Sequence, residues 1–199
     1  MSNNHAENIH ISIDKEIVST FFWFLEKGVK KEIFVGSSIR ELLSEQLNVS
    51  MDYIDNRIKT LFLNYNPVGD INKTIVNDGA ILALSTAMPG LAGATFRRME
   101  SSEPSLNKID DKKNLEQEKG IIVLKFFNMV LEELGPALLE SGVLIPKDEL
   151  VRFFTEHSGA ITAACNKLEM NNKNTTIQEV CKMDIIEEDK LINLYVFSV

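Results

Sequence analysis

Two cysteines, three histidines and one acidic run are the residues of this chain whose types could carry chemistry. Cys165 and Cys181 stand sixteen positions apart, with no C-x-x-C pair and no histidine close in sequence. Zinc sites and dithiol redox motifs depend on tighter spacing, because their ligands must converge on one atom or on each other. The pair reads as reduced thiols, with a disulfide or a redox pair as the alternative. His5, His10 and His157 are scattered, and surface positions suit them better than a ligand or base role. Glu187, Glu188 and Asp189 are adjacent rather than convergent, which fits a solvated loop better than a metal site. Ser12-x-x-Lys15 and Ser105-x-x-Lys108 match a hydrolase fragment whose companion motifs are absent. Neither a phosphate-cradling G-x-x-x-x-G-K nor a G-x-G-x-x-G occurs. No catalytic, cofactor-binding or metal-ligating residue is nominated, and no cofactor is expected.

The segment MPGLAGATFRR is the most suggestive piece of chain. Pro89, Gly90 and Gly93 make it small, and Arg97 and Arg98 give it a basic end. It reads equally as a tail that binds an acidic partner and as a plain exit from a strand. Trp23, inside the run FFWF, is either an anchor for a partner or a residue covered within the fold. The second reading is preferred.

The surrounding chain limits the classes of function. With 29 acidic and 21 basic residues its net charge is −8, which disfavours a general nucleic-acid or anionic-membrane surface. The most apolar stretch, 120–130, is far shorter than the roughly 20 residues a spanning helix needs. The first ten residues lack the order of a secretory signal, so a cytoplasmic protein is expected. The composition turns polar and charged near 99–118, a natural linker. It divides the chain into a first domain at 8–98 and a second at 119–199.

Elements follow from periodicity. Ile9, Ile11 and Ile13 alternate with polar residues and predict a strand. The β-branched and aromatic run Ile17–Leu25 also predicts a strand, with Gly28 turning it back into Lys31–Val35 as a hairpin. Ile39, Leu42, Leu43 and Leu47 take helical spacing, and Ser38 with Glu41 forms a capping box at the start. Strands are predicted at Ile58–Leu63 and, after the Asp78-Gly79 turn, at Ile81–Leu84. One helix cannot cover both faces of such a sheet, so one face is left for solvent or a partner. In the second domain, Val123, Phe126, Phe127, Val130, Leu131 and Leu134 fit a helix face that Gly135-Pro136 stops or kinks. Pro146 opens a further helix, Thr176 and Glu179 form a second capping box, and Leu191–Val196 closes as a strand. EIVSTFFWFLEKGV loosely echoes IIVLKFFNMVLEELG, a weak hint of duplication.

The pieces from Ile17 to Gly93 resemble the β-grasp, ubiquitin-like sulfur carriers, meaning the small subunit of molybdopterin synthase and the thiamine-biosynthesis carrier. The resemblance rests on a hairpin, SSIRELLSEQL as helix, TLFLNYNPV as strand and turn, and VNDGAILALSTAMPGLAG as turn, strand and tail. It implies a β-grasp domain in the first half; with the smaller, helix-rich α+β region read after it, the fold class expected is α+β. In that family a free terminal Gly-Gly carboxylate carries sulfur. Here the tail has no adjacent glycines and the chain runs on past Gly93, so carrier activity would require cleavage near that residue. The expectation is a non-enzymatic interaction module with a protein partner, or a cleavable sulfur-carrier-like protein. The alternative is a small-molecule-binding protein or enzyme with its pocket between the two units.

Overall fold

The computed structural model describes residues 7–87, 118–184 and 190–199. Along the chain run β1 (Glu7–Ile13), a 3-10 segment (Lys15–Phe21), α1 (Phe22–Lys27) and β2 (Val29–Phe34). Next come α2 (Ile39–Glu41) with a π turn (Leu42–Gln46), α3 (Met51–Asn56), β3 (Thr60–Leu63), β4 (Asn66–Pro67) and β5 (Ile81–Ser85). After residue 117 follow β6 (Lys119–Phe127), α4 (Met129–Glu140), β7 (Val143–Pro146), α5 (Lys147–Glu156) and α6 (Ser158–Ala164). The last described elements are β8 (Cys165–Met170), β9 (Lys173–Asn174), α7 (Ile177–Cys181) and β10 (Leu191–Ser198). The architecture is mixed α+β with parallel and antiparallel strand pairs.

Two compact units result, one of Glu32–Val123 and one of Met1–Lys31 with Leu124–Val199. The expected linker at 99–118 lies, Glu118 apart, outside the described residues. The compact units depart from a sequential division at that stretch. The reason is strand pairing: β1 runs parallel to β10, Ile9 opposite Leu194, which ties the start of the chain to its far half.

In the unit Glu32–Val123 the strand order is β4-β3-β5-β6-β2. β3 pairs antiparallel with both β4 and β5. Gly79 N–H donates to Ile121 O and Val123 N–H to Ala80 O, so the bonds advance together and β5 and β6 run parallel. Val35 N–H donates to Glu118 O where β2 ends and β6 begins, the sense of an antiparallel pair. The capping box is present, with Ser38 N–H donating to Glu41 Oε2 at 2.9 Å and Glu41 N–H to Ser38 Oγ at 3.2 Å. Ile39, Leu42 and Leu43 are fully buried and Leu47 is half-buried, with Leu61, Leu82, Leu84 and Ile122 forming the rest of this core.

In the other unit the order is β7-β10-β1-β8-β9, with Lys30 of β2 set against Leu144 of β7. Ile9, Ile11, Ile13, Ile192, Leu194 and Val196 line the buried face. Phe21, Phe24, Phe153 and Phe154 fill the space beside them, with ring centroids of Phe24 and Phe153 4.5 Å apart. The second capping box is present at Thr176 and Glu179.

Three expectations are corrected. Ile17–Leu25 is helical rather than a strand of a hairpin, because Val18, Phe21, Phe24 and Leu25 bury one face at helical spacing. The stretch through Val123, Phe126 and Phe127 is β6, with Gly120, Ile122, Leu124 and Phe126 buried on alternate positions. The helix starts only at Met129 and runs through Gly135-Pro136. Gly135 lies so close to Leu25 and Phe22 that an added Cβ would come within 3.0 and 3.1 Å of them, and this packing holds the helix across the proline. The two echoing segments thus differ in structure. A repeated plan lies elsewhere: β2-α2-α3-β3-β4 and β7-α5-α6-β8-β9 are each strand, two helices, strand, tight turn and two-residue strand. Asn64-Tyr65 and Asn171-Asn172, all at positive φ, make the two turns.

Candidate functional site

The sheet of the unit Glu32–Val123 has one face packed on the helix core and an opposite face on which Phe34 and Ile121 are exposed. Alternation sorts the side chains. Ile33, Leu61, Leu82, Leu84 and Ile122 point to the core. Phe34, Phe62, Ile81, Ala83, Ile121 and Val123 point the other way, and they are apolar too. Phe34 is 39% and Ile121 37% exposed, and the remaining four are half-buried. A solvated sheet face ordinarily carries polar residues at these positions.

Local structure fixes each of them. Gly79, at φ +73°, turns the chain into β5, and Asp78 Oδ1 accepts from Ile121 N–H at 2.6 Å. Gly120 permits the close approach, since a Cβ there would stand 2.5 Å from Val35 Cγ1 and 2.8 Å from Asp78 Oδ1. Ile121 is therefore placed by an aspartate on one strand entrance and a glycine on the next. Phe34 is held by Gln46, whose amide accepts from Phe34 N–H at 2.8 Å and donates to Phe34 O at 2.9 Å. That side chain occupies β2's outer hydrogen-bonding groups as a neighbouring strand would. Asn64 Oδ1 accepts from Ile81 N–H at 2.8 Å, and Phe62 sits opposite Ala83 and Pro67. At one end Thr60 and Ser85 pair across the strands, and Ser85 Oγ donates to Ala87 O at 2.8 Å. Glu32 and Lys119, 2.6 Å apart, form an exposed ion pair on the same face.

The other residues singled out by type do not join this site. Pro89, Gly90, Gly93, Arg97 and Arg98 lie outside the described residues, as do His5, Ser105, Lys108 and the run 187–189. His10 stacks on Tyr195 of β10 at 4.3 Å, whereas His157 packs on Phe153 at 4.7 Å. Both cysteines are free, and burial pushes the Cys165 thiol above its ordinary range. Trp23 sits on α1, not on a sheet, 44% exposed, with its ring against Phe153 at 6.1 Å and Lys27 Nζ 4.9 Å from its centroid. Among the described residues no three metal-ligating side chains gather, and no helix is long and apolar enough to cross a membrane. The open face itself was invisible residue by residue in the sequence. Two signals bore on it: a single helix cannot cover both faces of such a sheet, and the apolar run IIV is too rich for a strand with a wet side.

Comparison with protein-family models, with curated proteins and with solved structures finds no match to this chain.

Proposed function

We propose that the unit Glu32–Val123 is a β-grasp module that binds a protein partner through its open sheet face. The strand order β4-β3-β5-β6-β2, with two parallel strands at the centre and helices following β2, supports the β-grasp reading. The resemblance implies a hairpin ahead of the helix; here β2 pairs instead with β6, which follows every other strand of the unit. The fold proposed is therefore a permuted form of the one the resemblance implies.

The binding reading is carried by one observation: six apolar side chains on the sheet face opposite the helix core, held in place by specific polar contacts. Exposed apolar patches of this kind mark interaction surfaces. Recognition is the role proposed for the face because its described side chains are chiefly apolar. The test places a photo-crosslinking amino acid at position 121 and, as control, at exposed Glu45 on the helix side, in the native cell. A discrete adduct from position 121 alone is the expected result. Identical adducts from both positions, or none from either, would overturn the reading.

A further inference from the structure

We draw no further inference here: the strongest candidate, the side-chain cluster of Glu7, Lys147 and Lys190 at the heads of β1, α5 and β10, is closed on itself, with the two ammoniums 4.0 and 3.1 Å from the one carboxylate, and nothing among the described residues points to a ligand for it.

Discussion

The ammonium of Lys31 lies 2.5 Å from the carbonyl oxygen of Gly142. It also donates to Ser141 O at 2.8 Å and Ser141 Oγ at 2.9 Å, just where α4 ends. The last carbonyls of a helix have no partner within it and carry the negative end of its dipole, so a lysine here satisfies both. Lys31→Met should cost about 1.5–3 kcal/mol in urea unfolding, the range for hydrogen bonds to a charged group. Lys30→Met, one residue earlier and exposed, should stay within about 0.5 kcal/mol. Burial also holds the Lys31 ammonium below its usual 10.5, so the folded chain gives up that proton before the unfolded chain does. The Lys31 contribution to stability therefore rises with pH between the lowered value and 10.5, and Lys31→Met should remove that rise.

Two carboxylates set an opposite limit on the acid side. Asp70 is held below its usual range chiefly by the backbone N–H of Asn72, and Glu179 chiefly by the hydroxyl of Thr175. A carboxylate with a depressed folded pKa adds stability that is full above its unfolded value and lost as pH falls through the folded one. The window opens below 4.5 for Glu179 and below 3.8 for Asp70. Asp70→Asn and Glu179→Gln should each flatten the fall of the urea midpoint in that window. Midpoints that fall as steeply as in the unaltered chain would show that these bonds do not form in solution.

The sequence made some elements plain and hid others for a physical reason. Ser38 with Glu41 and Thr176 with Glu179 were legible because a capping box is a local signal, four residues long and independent of packing. β1 was legible because its polar and apolar positions alternate. β6 was hidden because Ile121, Val123 and Phe127 put apolar residues on its outward side as well, erasing the period of two. The open face and the misread strand are one fact seen twice. Val18, Phe21, Phe24 and Leu25 were hidden the other way, since β-branched and aromatic composition suggested a strand while tertiary burial chose a helix. No local pattern could reveal the pairing of β1 with β10, which joins residues more than 180 apart, such as Ile9 and Leu194.

The cysteines give a direct check on the reduced-thiol reading. Cys165 and Cys181 are both free and both partly exposed. Burial raises the Cys165 thiol above the ordinary 9.0, which leaves little thiolate near neutral pH. Ellman's reagent should titrate two thiols on the unfolded protein and label Cys165→Ser faster per thiol than Cys181→Ser in the folded one. An intact mass two protons short under non-reducing conditions would contradict this outcome.

The last prediction concerns a chain cut after Gly93, the form that a cleavable carrier would require. β6 lies between β5 and β2 in the strand order, and it begins at Lys119. A fragment ending at residue 93 loses that central strand, and with it Ile122, the neighbour that Leu82, Leu84 and Ile33 need on the core face. Each apolar side chain so uncovered forfeits up to roughly 1.5–3 kcal/mol, against a total stability of only about 5–15 kcal/mol for a domain. The fragment 1–93 should therefore be unfolded by circular dichroism and amide NMR. A full chain nicked after Gly93 by an engineered protease site should stay folded, because β6 remains held by the bonds of Val35 to Glu118, Gly79 to Ile121 and Ala80 to Val123, at 2.9, 2.9 and 2.8 Å. The nicked form, not the fragment, is the species in which to test sulfur-carrier chemistry. Incubated with ATP, a sulfur source and an activating enzyme of the carrier type, it would show any adenylate or thiocarboxylate as a mass gain on its N-terminal piece. The uncut chain should gain none, since the carboxyl of Gly93 is there an amide. A folded 1–93 fragment would show that β6 is dispensable, and the permuted β-grasp reading would fall with it.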